Sequence, residues 1–468
     1  MQLKNALMPA LLAGSLATSS LLYADETADT VQALKKQIEE LDQKVRILER
    51  KREIDVETTS SKTPTGPRVE LGANGLAVNS ADTNFVFKIR GYMQMDGRFG
   101  VGETAGPFSD TFLMRRIRPI FEGTLYQKLD YRIMLDFGSG VTSSASNDGF
   151  VQDAYANLRL LPELQIQVGK MKEPVGLERL QSGANLLFIE RAFPTLLVPN
   201  RNVGAMLQGD LFGQVLSYQA GVFNGATDGG STDFQAFDAG NAAGRLFTTP
   251  FKNIGVEALE GFGVGMAGTY GRLTGPMRSY LSPGQRAIFS YVTGSGVLPN
   301  VVADGQQWRL SPQGYYYWGP FGIFGEYVVS SQNVRQAGGG ASAGAKAALA
   351  NRAWQVAGSW FVTGEKNSWK PVNVQEPVTF SSKGGWGAVE LVARVQGIHI
   401  DDDAFPIFAN PNISRGSAFG WGVGVNWHLN RNLKLSLDFE NTEFTGGKKN
   451  PITANNEQVI FGQVQVSF

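Results

Sequence analysis

Residues 421–440 read WGVGVNWHLNRNLKLSLDFE, and the period of this stretch decides the fold. Trp421, Val423, Val425, Trp427 and Leu429 take alternate positions, opposite Gly422, Gly424, Asn426 and His428. After the tight turn Asn430-Arg431 the alternation resumes, with Leu433, Leu435, Leu437 and Phe439 against Lys434, Ser436, Asp438 and Glu440. A period of two belongs to an extended strand, whose successive side chains point to opposite faces. A soluble sandwich also alternates. Here one face is large and aromatic, the other is charged, and the runs are long enough to cross a bilayer. That is the pattern of strands with lipid on one side and water on the other.

The same pattern recurs along the chain. Phe85, Phe87, Ile89, Met93, Met95 and Phe99 oppose Lys88, Arg90, Tyr92, Gln94, Asp96 and Arg98. Strands are predicted at 84–99, 112–125, 129–138, 150–160, 164–172, 203–211, 214–223 and 240–248. The second half predicts 261–272, 306–318, 321–330, 350–363, 382–396, 417–429, 432–444 and 456–468. The connections between them mostly alternate short and long, the longest being 173–202 and 273–305; 249–260 and 364–381 are long for turns at the short end. An even number of strands with short turns at one end describes an all-β, 16-stranded antiparallel transmembrane β-barrel. Pro119 predicts a local bulge, because it removes a ladder bond. Aromatics near strand ends, among them Tyr315–Trp318, Trp354, Trp360 and Trp421, fit interfacial girdles.

Composition agrees and excludes much else. The 468 residues carry 42 Lys+Arg against 42 Asp+Glu, which argues against a polybasic nucleic-acid binder. There is no cysteine and there are only two histidines, His399 and His428, so thiolate chemistry is excluded and most His-based catalysis or zinc ligation lacks its residues. No enzyme activity, cofactor or metal is expected. Gly263-Val-Gly265-Met-Ala-Gly268 matches a nucleotide-binding pattern, but no helix is predicted after it. Asp401-Asp402-Asp403 lacks the remaining ligands of a calcium loop and reads as a solvated loop face.

The N-terminal region has a different period. An apolar run, 6–22, precedes Tyr23-Ala24 and the acidic pair Asp25-Glu26, which reads as a signal peptide over 1–24. Val31, Leu34, Ile38, Leu41, Val45 and Leu48 then recur at spacings of three and four, predicting a short coiled coil over 25–57. Val or Ile at a with Leu at d leans towards dimers in model peptides, so the seam does not by itself demand a trimer. Residues 58–83 read as linker and lead-in, and 84–468 as the barrel.

In the polar phase the basic residues stand out. Arg116 and Arg118 share a face, and Lys88, Arg90, Arg98, Arg132, Arg159 and Arg394 take the lumen phase of their strands. Guanidinium groups suit oxyanions, which they bind by charge-assisted hydrogen bonds. Cross-strand partners exist for them in Asp96, Glu122, Asp130, Asp136, Asp153, Glu390, Asp438 and Glu440, so the lumen is close to charge-balanced on paper. The long connection 173–202 either lies outside the barrel or folds inward, and inward it would bring Lys170, Lys172, Arg179 and Arg191 to a constriction.

Several stretches also resemble a known family. GKMKEPVGLERL (169–180), FIERAFP (188–194), GVFNGATDG (221–229), AGRLFTTPF (243–251), WGPFGIFGEY (318–327), VTGEK (362–366), WGAVELVARV (386–395) and GWGVGVNWHLN (420–430) are similar to the phosphate-selective porin O/P family of Gram-negative outer membranes. The resemblance implies sixteen strands, a homotrimer in outer-membrane lipid, and loops folding inward after strands five and nine. It also implies an arginine ladder leading small anions such as phosphate to a lysine-lined constriction. By position Lys172 is the constriction lysine, and Arg90, Arg116 and Arg118 are ladder residues. The expected function is therefore passive diffusion of small anions, with a general or weakly cation-selective porin as the alternative. The expected location is the outer membrane, with the coiled coil in the periplasm.

Overall fold

The computed structural model describes residues 20–60, 66–101, 110–138, 150–234, 240–294, 298–379, 384–446 and 456–468. It divides into two units, Met1–Pro67 and Arg68–Phe468. In the first unit a helix, Ser20–Ser60, carries the heptad seam, and the six seam residues Val31, Leu34, Ile38, Leu41, Val45 and Leu48 are exposed. Most of the expected signal segment lies outside the described residues, as does the part of the linker at 61–65.

In the second unit sixteen antiparallel strands close on themselves. In chain order they are β1 (Phe85–Gly100), β2 (Thr111–Leu125), β3 (Leu129–Leu135), β4 (Val151–Leu161), β5 (Leu164–Met171), β6 (Arg201–Leu211), β7 (Leu216–Phe223) and β8 (Gly240–Thr248). Then follow β9 (Phe262–Pro276), β10 (Asn300–Trp318), β11 (Phe321–Ala337), β12 (Lys346–Phe361), β13 (Ala388–His399), β14 (Ser417–His428), β15 (Leu433–Thr445) and β16 (Asn456–Ser467). Each pairs with the next, and β16 returns to β1 with Val459 opposite Gly100 and Ser467 opposite Tyr92. Closure leaves no continuous free edge, the only way a sheet can satisfy its backbone in lipid. A hairpin, Arg68–Gly72 with Gly75–Asn79, covers the stretch of β1 that β16 does not reach, pairing Leu76 with Ile89. The lead-in is thus partly structured.

The alternation holds on most strands. Trp354, Trp360, Trp421, Val423, Val425, Leu437 and Ile460 point out, while Gln94, Asp96, Ser436, Asp438 and Glu440 are buried inside. Two expectations are corrected. Pro119 stays in register opposite Gly91, and the bulge sits four residues earlier, where Gln94 faces Arg116 and Met95 faces Met114, leaving Arg115 extra. Tyr315 belongs to no girdle, because it packs against Phe247 and Trp369 inside the barrel.

The lumen is partly filled. The connection between β5 and β6, here called the inner loop, contains a one-turn helix Leu177–Leu180 and a 3-10 turn Phe193–Leu196. The connection between β9 and β10 forms a small hairpin, Tyr280–Leu281 with Ala287–Phe289. Val175, Phe193, Leu197 and Val198 from the first pack with Tyr280, Ile288, Phe289 and Tyr291 from the second. Behind them lie Val328, Leu349, Ala353, Ile398 and Ala418 of β11–β14. The hydrophobic core of the barrel therefore occupies one side of its lumen. Asp401 accepts the Asp403 and Ala350 N–H groups, so the acidic triplet caps a turn.

Candidate functional site: a constriction between two unlike walls

A segment crossing a lumen must find partners for its backbone groups, and those far from water are costly to leave unpaired. The inner loop finds them on β11–β15. Glu326 accepts the N–H groups of Leu177 at 2.5 Å and Glu178 at 3.2 Å. Glu178 accepts the Ala192 N–H at 2.9 Å and the Gln355 amide at 3.1 Å. Asp438 accepts the Ile189 N–H at 2.7 Å, and Gln396 that of Phe193 at 2.8 Å. Arg394 donates to the Glu190 carbonyl at 2.9 Å and the Glu440 carboxylate at 2.7 Å. Glu326 and Asp438 of this wall are therefore occupied in holding the loop, and Glu440 in holding Arg394. The inner loop folds inward, not outward.

The opposite wall, β1–β6, is basic. Of the eleven residues singled out in the sequence, several have acidic partners. Arg90 binds Glu122 at 2.6 Å, Arg118 binds Asp136 at 2.7 Å, and Arg159 binds Asp130 at 2.8 Å. Arg132 reaches Asp153 at 3.3 Å, and Lys170 pairs with Asp233. Arg98 is buried between Asp96 and Glu190 and does not line open space. Lys88 is exposed at the short-turn end of β1, opposite Glu122 in register.

The remaining residues differ. Arg116 donates to Gln94 at 2.6 Å, Lys172 to the carbonyls of Leu180 and Gln181 at 3.2 and 2.7 Å, and Arg191 to the Gln181 carbonyl at 2.9 Å. Among the described residues no carboxylate lies within ion-pair distance of these three. Arg179, beside them, donates to Asn200 and the Thr195 carbonyl. Burial, then the charges of Arg201 and Arg191, push the Lys172 ammonium well below the ordinary lysine range. Burial and Arg179 lower Arg191 to about 9. Glu190 moves the other way: burial acts upward, but Arg115 and Arg98 hold it below the usual carboxylate range. A cavity of 260 Å³ opens among Arg118, Arg132, Lys172 and Arg201, with Tyr92 and Asp153 at its side.

Two site residues escaped the alternation. Arg115 has the outward phase, but the bulge turns it inward to Glu190 at 2.9 Å. Arg201, the first residue of β6, binds Asp153 at 3.0 Å. Its place just after the long connection was the only sequence signal.

The sequence profile described as phosphate-selective porin O and P matches residues 87–468. No curated protein is similar enough in sequence to count as a relative. Among solved structures, the outer membrane channel DcaP of Acinetobacter baumannii is similar at 9% identity and a TM-score of 0.51, over 82% of this chain and 98% of that one. OmpT, an outer membrane protein of Vibrio cholerae, is similar at 10% identity and a TM-score of 0.50, over 82% of this chain and 98% of that one. At such identities the likeness concerns the barrel fold.

Proposed function

Because the chain belongs to the phosphate-selective porin O and P family and is an outer-membrane porin, we propose that it conducts small anions passively, with phosphate or a related oxyanion preferred. The observation that carries this reading is the segregation of charge across the constriction. Arg116, Lys172 and Arg191 keep their charge free of acidic partners, while the nearest carboxylates of the other wall hold the inner loop. A low-dielectric rim strengthens such charges relative to bulk water. Anions are concentrated there, exchange part of their hydration for N–H donors, and leave because each contact is single and weak.

Lys172→Glu reverses one charge at the centre of this cluster. In a planar bilayer the native channel gives an anion-directed reversal potential under a KCl gradient, and millimolar phosphate titrated into symmetric chloride lowers its conductance by saturable block. The variant moves the potential towards cations and loses the block. A native channel that favours cations, with no block, would sink the reading. The rival, a general diffusion porin, draws support from the ion pairs of Arg90 and Arg118, two of the three expected ladder residues, and from those of Arg132 and Arg159 beside them. The same measurement separates the two.

The assembly follows from the helix. Its exposed seam of Val and Ile at a with Leu at d fits self-association but leans towards two strands, so the homotrimer of this reading rests on the porin O and P family, with the coiled coil placed in the periplasm. Deleting 25–57 should leave single-channel conductance intact and lower the temperature at which the oligomer dissociates in detergent.

A further inference from the structure

Three glycines on the lumen side, Gly263, Gly265 and Gly322, support an arrangement that passage of a small oxyanion does not require. A methyl group on Gly263 would stand 2.7 Å from rings of both Phe247 and Tyr315; on Gly265 it would meet Phe247 at 2.5 Å. On Gly322 it would meet Tyr317 at 2.6 Å. Bare backbone at these positions lets the rings lie flat on the barrel wall. The alternating glycines thus serve aromatic packing, and the nucleotide-like spacing at 263–268 is incidental.

The rings form a continuous surface. Phe247 and Tyr315 are 5.0 Å apart between centroids, Tyr315 and Tyr317 5.2 Å. Trp369 stacks on Tyr315 at 5.6 Å and 18°, and meets Phe324 edge-on at 5.9 Å. Trp369 comes from the connection between β12 and β13, which turns back into the barrel. Asn367 pins it there, its N–H donating to the Gly319 carbonyl at 2.8 Å and its amide to the Ser359 hydroxyl at 2.7 Å. The unusual length of this connection, over its described residues, is what brings the indole inside.

Beside the shelf is a cavity of 480 Å³, lined by Tyr317, Phe324, Phe361 and Trp369 and by Lys434. Its size falls in the usual range of small-molecule sites, about 300–1,000 Å³. Lys434 is buried, and its ammonium donates to the Leu186 carbonyl at 3.3 Å. Glu390 also lines the cavity, with its carboxylate held by the Asn426 amide at 3.1 Å and beside His428 at 3.4 Å. Aromatic faces in a wet passage bind planar apolar surface, and the ammonium adds preference for a carboxylate.

We infer that this vestibule, at the short-turn end of the barrel, is a subsite for planar aromatic carboxylates, with the ring against Trp369 and Tyr317 and the carboxylate towards Lys434. The charge preference rests on the anion-porin reading; the ring preference rests on the shelf alone. The test uses the full-length channel in planar bilayers and compares block by benzoate, acetate, phosphate, benzylammonium and methylammonium. Benzoate should block about tenfold more strongly than acetate, the order of one good ring stack. Trp369→Ala should bring the two within about twofold and leave phosphate block unchanged, while Trp369→Phe retains the preference. Equal block by benzoate and acetate in the native channel overturns the inference. So does a Trp369→Ala channel that weakens all anions alike. Benzylammonium exceeding benzoate overturns the carboxylate assignment. Failure of the anion reading itself shows separately, as a cation-directed reversal potential in the KCl gradient.

Discussion

The wall formed by β1–β6 and the wall formed by β11–β15 are both rich in charge, yet at the constriction only the first offers it to the pore. On the first, Arg116 and the adjoining Lys172 and Arg191 donate to neutral oxygens. On the second, Glu326 and Asp438 accept backbone N–H groups of the inner loop, and Glu440 is bound by Arg394. Equal numbers of acidic and basic residues in the chain therefore do not make a neutral constriction. A loop's backbone donors satisfy carboxylates without carrying a formal charge, so the count of charges and the field in the pore part company.

The largest effect should come from breaking the anchoring wall. Glu326→Ala leaves the N–H groups of Leu177 and Glu178 without their acceptor and takes from the Gln355 amide one of its two, Glu178 remaining. Each buried donor so stranded costs about 1–3 kcal/mol. The inner loop should loosen, and single-channel conductance should rise several-fold with a loss of ion selectivity. Unchanged conductance would mean that the apolar contacts of Phe193, Leu197 and Val198 hold the loop without this carboxylate.

Removing one negative charge from each wall sharpens the comparison. Asp153 ties down Arg201 at 3.0 Å and Arg132 at 3.3 Å. Asp153→Asn releases both guanidinium groups beside the cavity and should strengthen phosphate block by roughly threefold to tenfold, the scale of one charge-assisted contact. Asp438→Asn deletes the same charge on the other wall. Its amide oxygen still accepts from Ile189, and phosphate block should stay within about twofold because the change lies behind the loop. Equal responses in titrations of the two channels would show that only net charge matters.

The barrel was legible because most membrane strands repeat one instruction, apolar out and polar in, with turns between. The phase of Arg116, Arg118 and Arg132 was legible for the same reason. Arg115 was not, since a bulge is a departure from the period and Pro119, the visible irritant, is tolerated opposite Gly91. Nor was the path of the inner loop. Its residues have no period, and its position is set by partners such as Asp438, 249 residues from Ile189. Pairings across the lumen leave no local mark, so the family resemblance set Lys172 apart, but the residue pattern named Arg191 without separating it from Arg90 or Arg159, whose charges are matched. The aromatic shelf was missed because Tyr315 and Tyr317 sit near a strand end, where rings usually face the membrane boundary.

The smallest effect concerns pH, and it isolates Lys172 from its arginine neighbours. Burial and the charges of Arg201 and Arg191 lower its proton affinity, so its ammonium is lost as pH rises, at values below the ordinary lysine figure of about 10.4. Protonated, it adds to the positive wall; neutral, it still donates hydrogen bonds but attracts no anion at a distance. Anion preference should therefore decline on the alkaline side, by less than about twofold in permeability ratio because Arg116 and Arg191 share the site. Lys172→Arg should make the profile shallower, since a guanidinium keeps its charge better than an ammonium in the same surroundings, and what decline remains belongs to Arg191, lowered by burial and Arg179. Reversal potentials across a pH series in a fixed KCl gradient measure both. A flat native profile would place the selectivity in the arginines alone. A decline that persists undiminished in Lys172→Arg would assign it to another titrating group on the same wall.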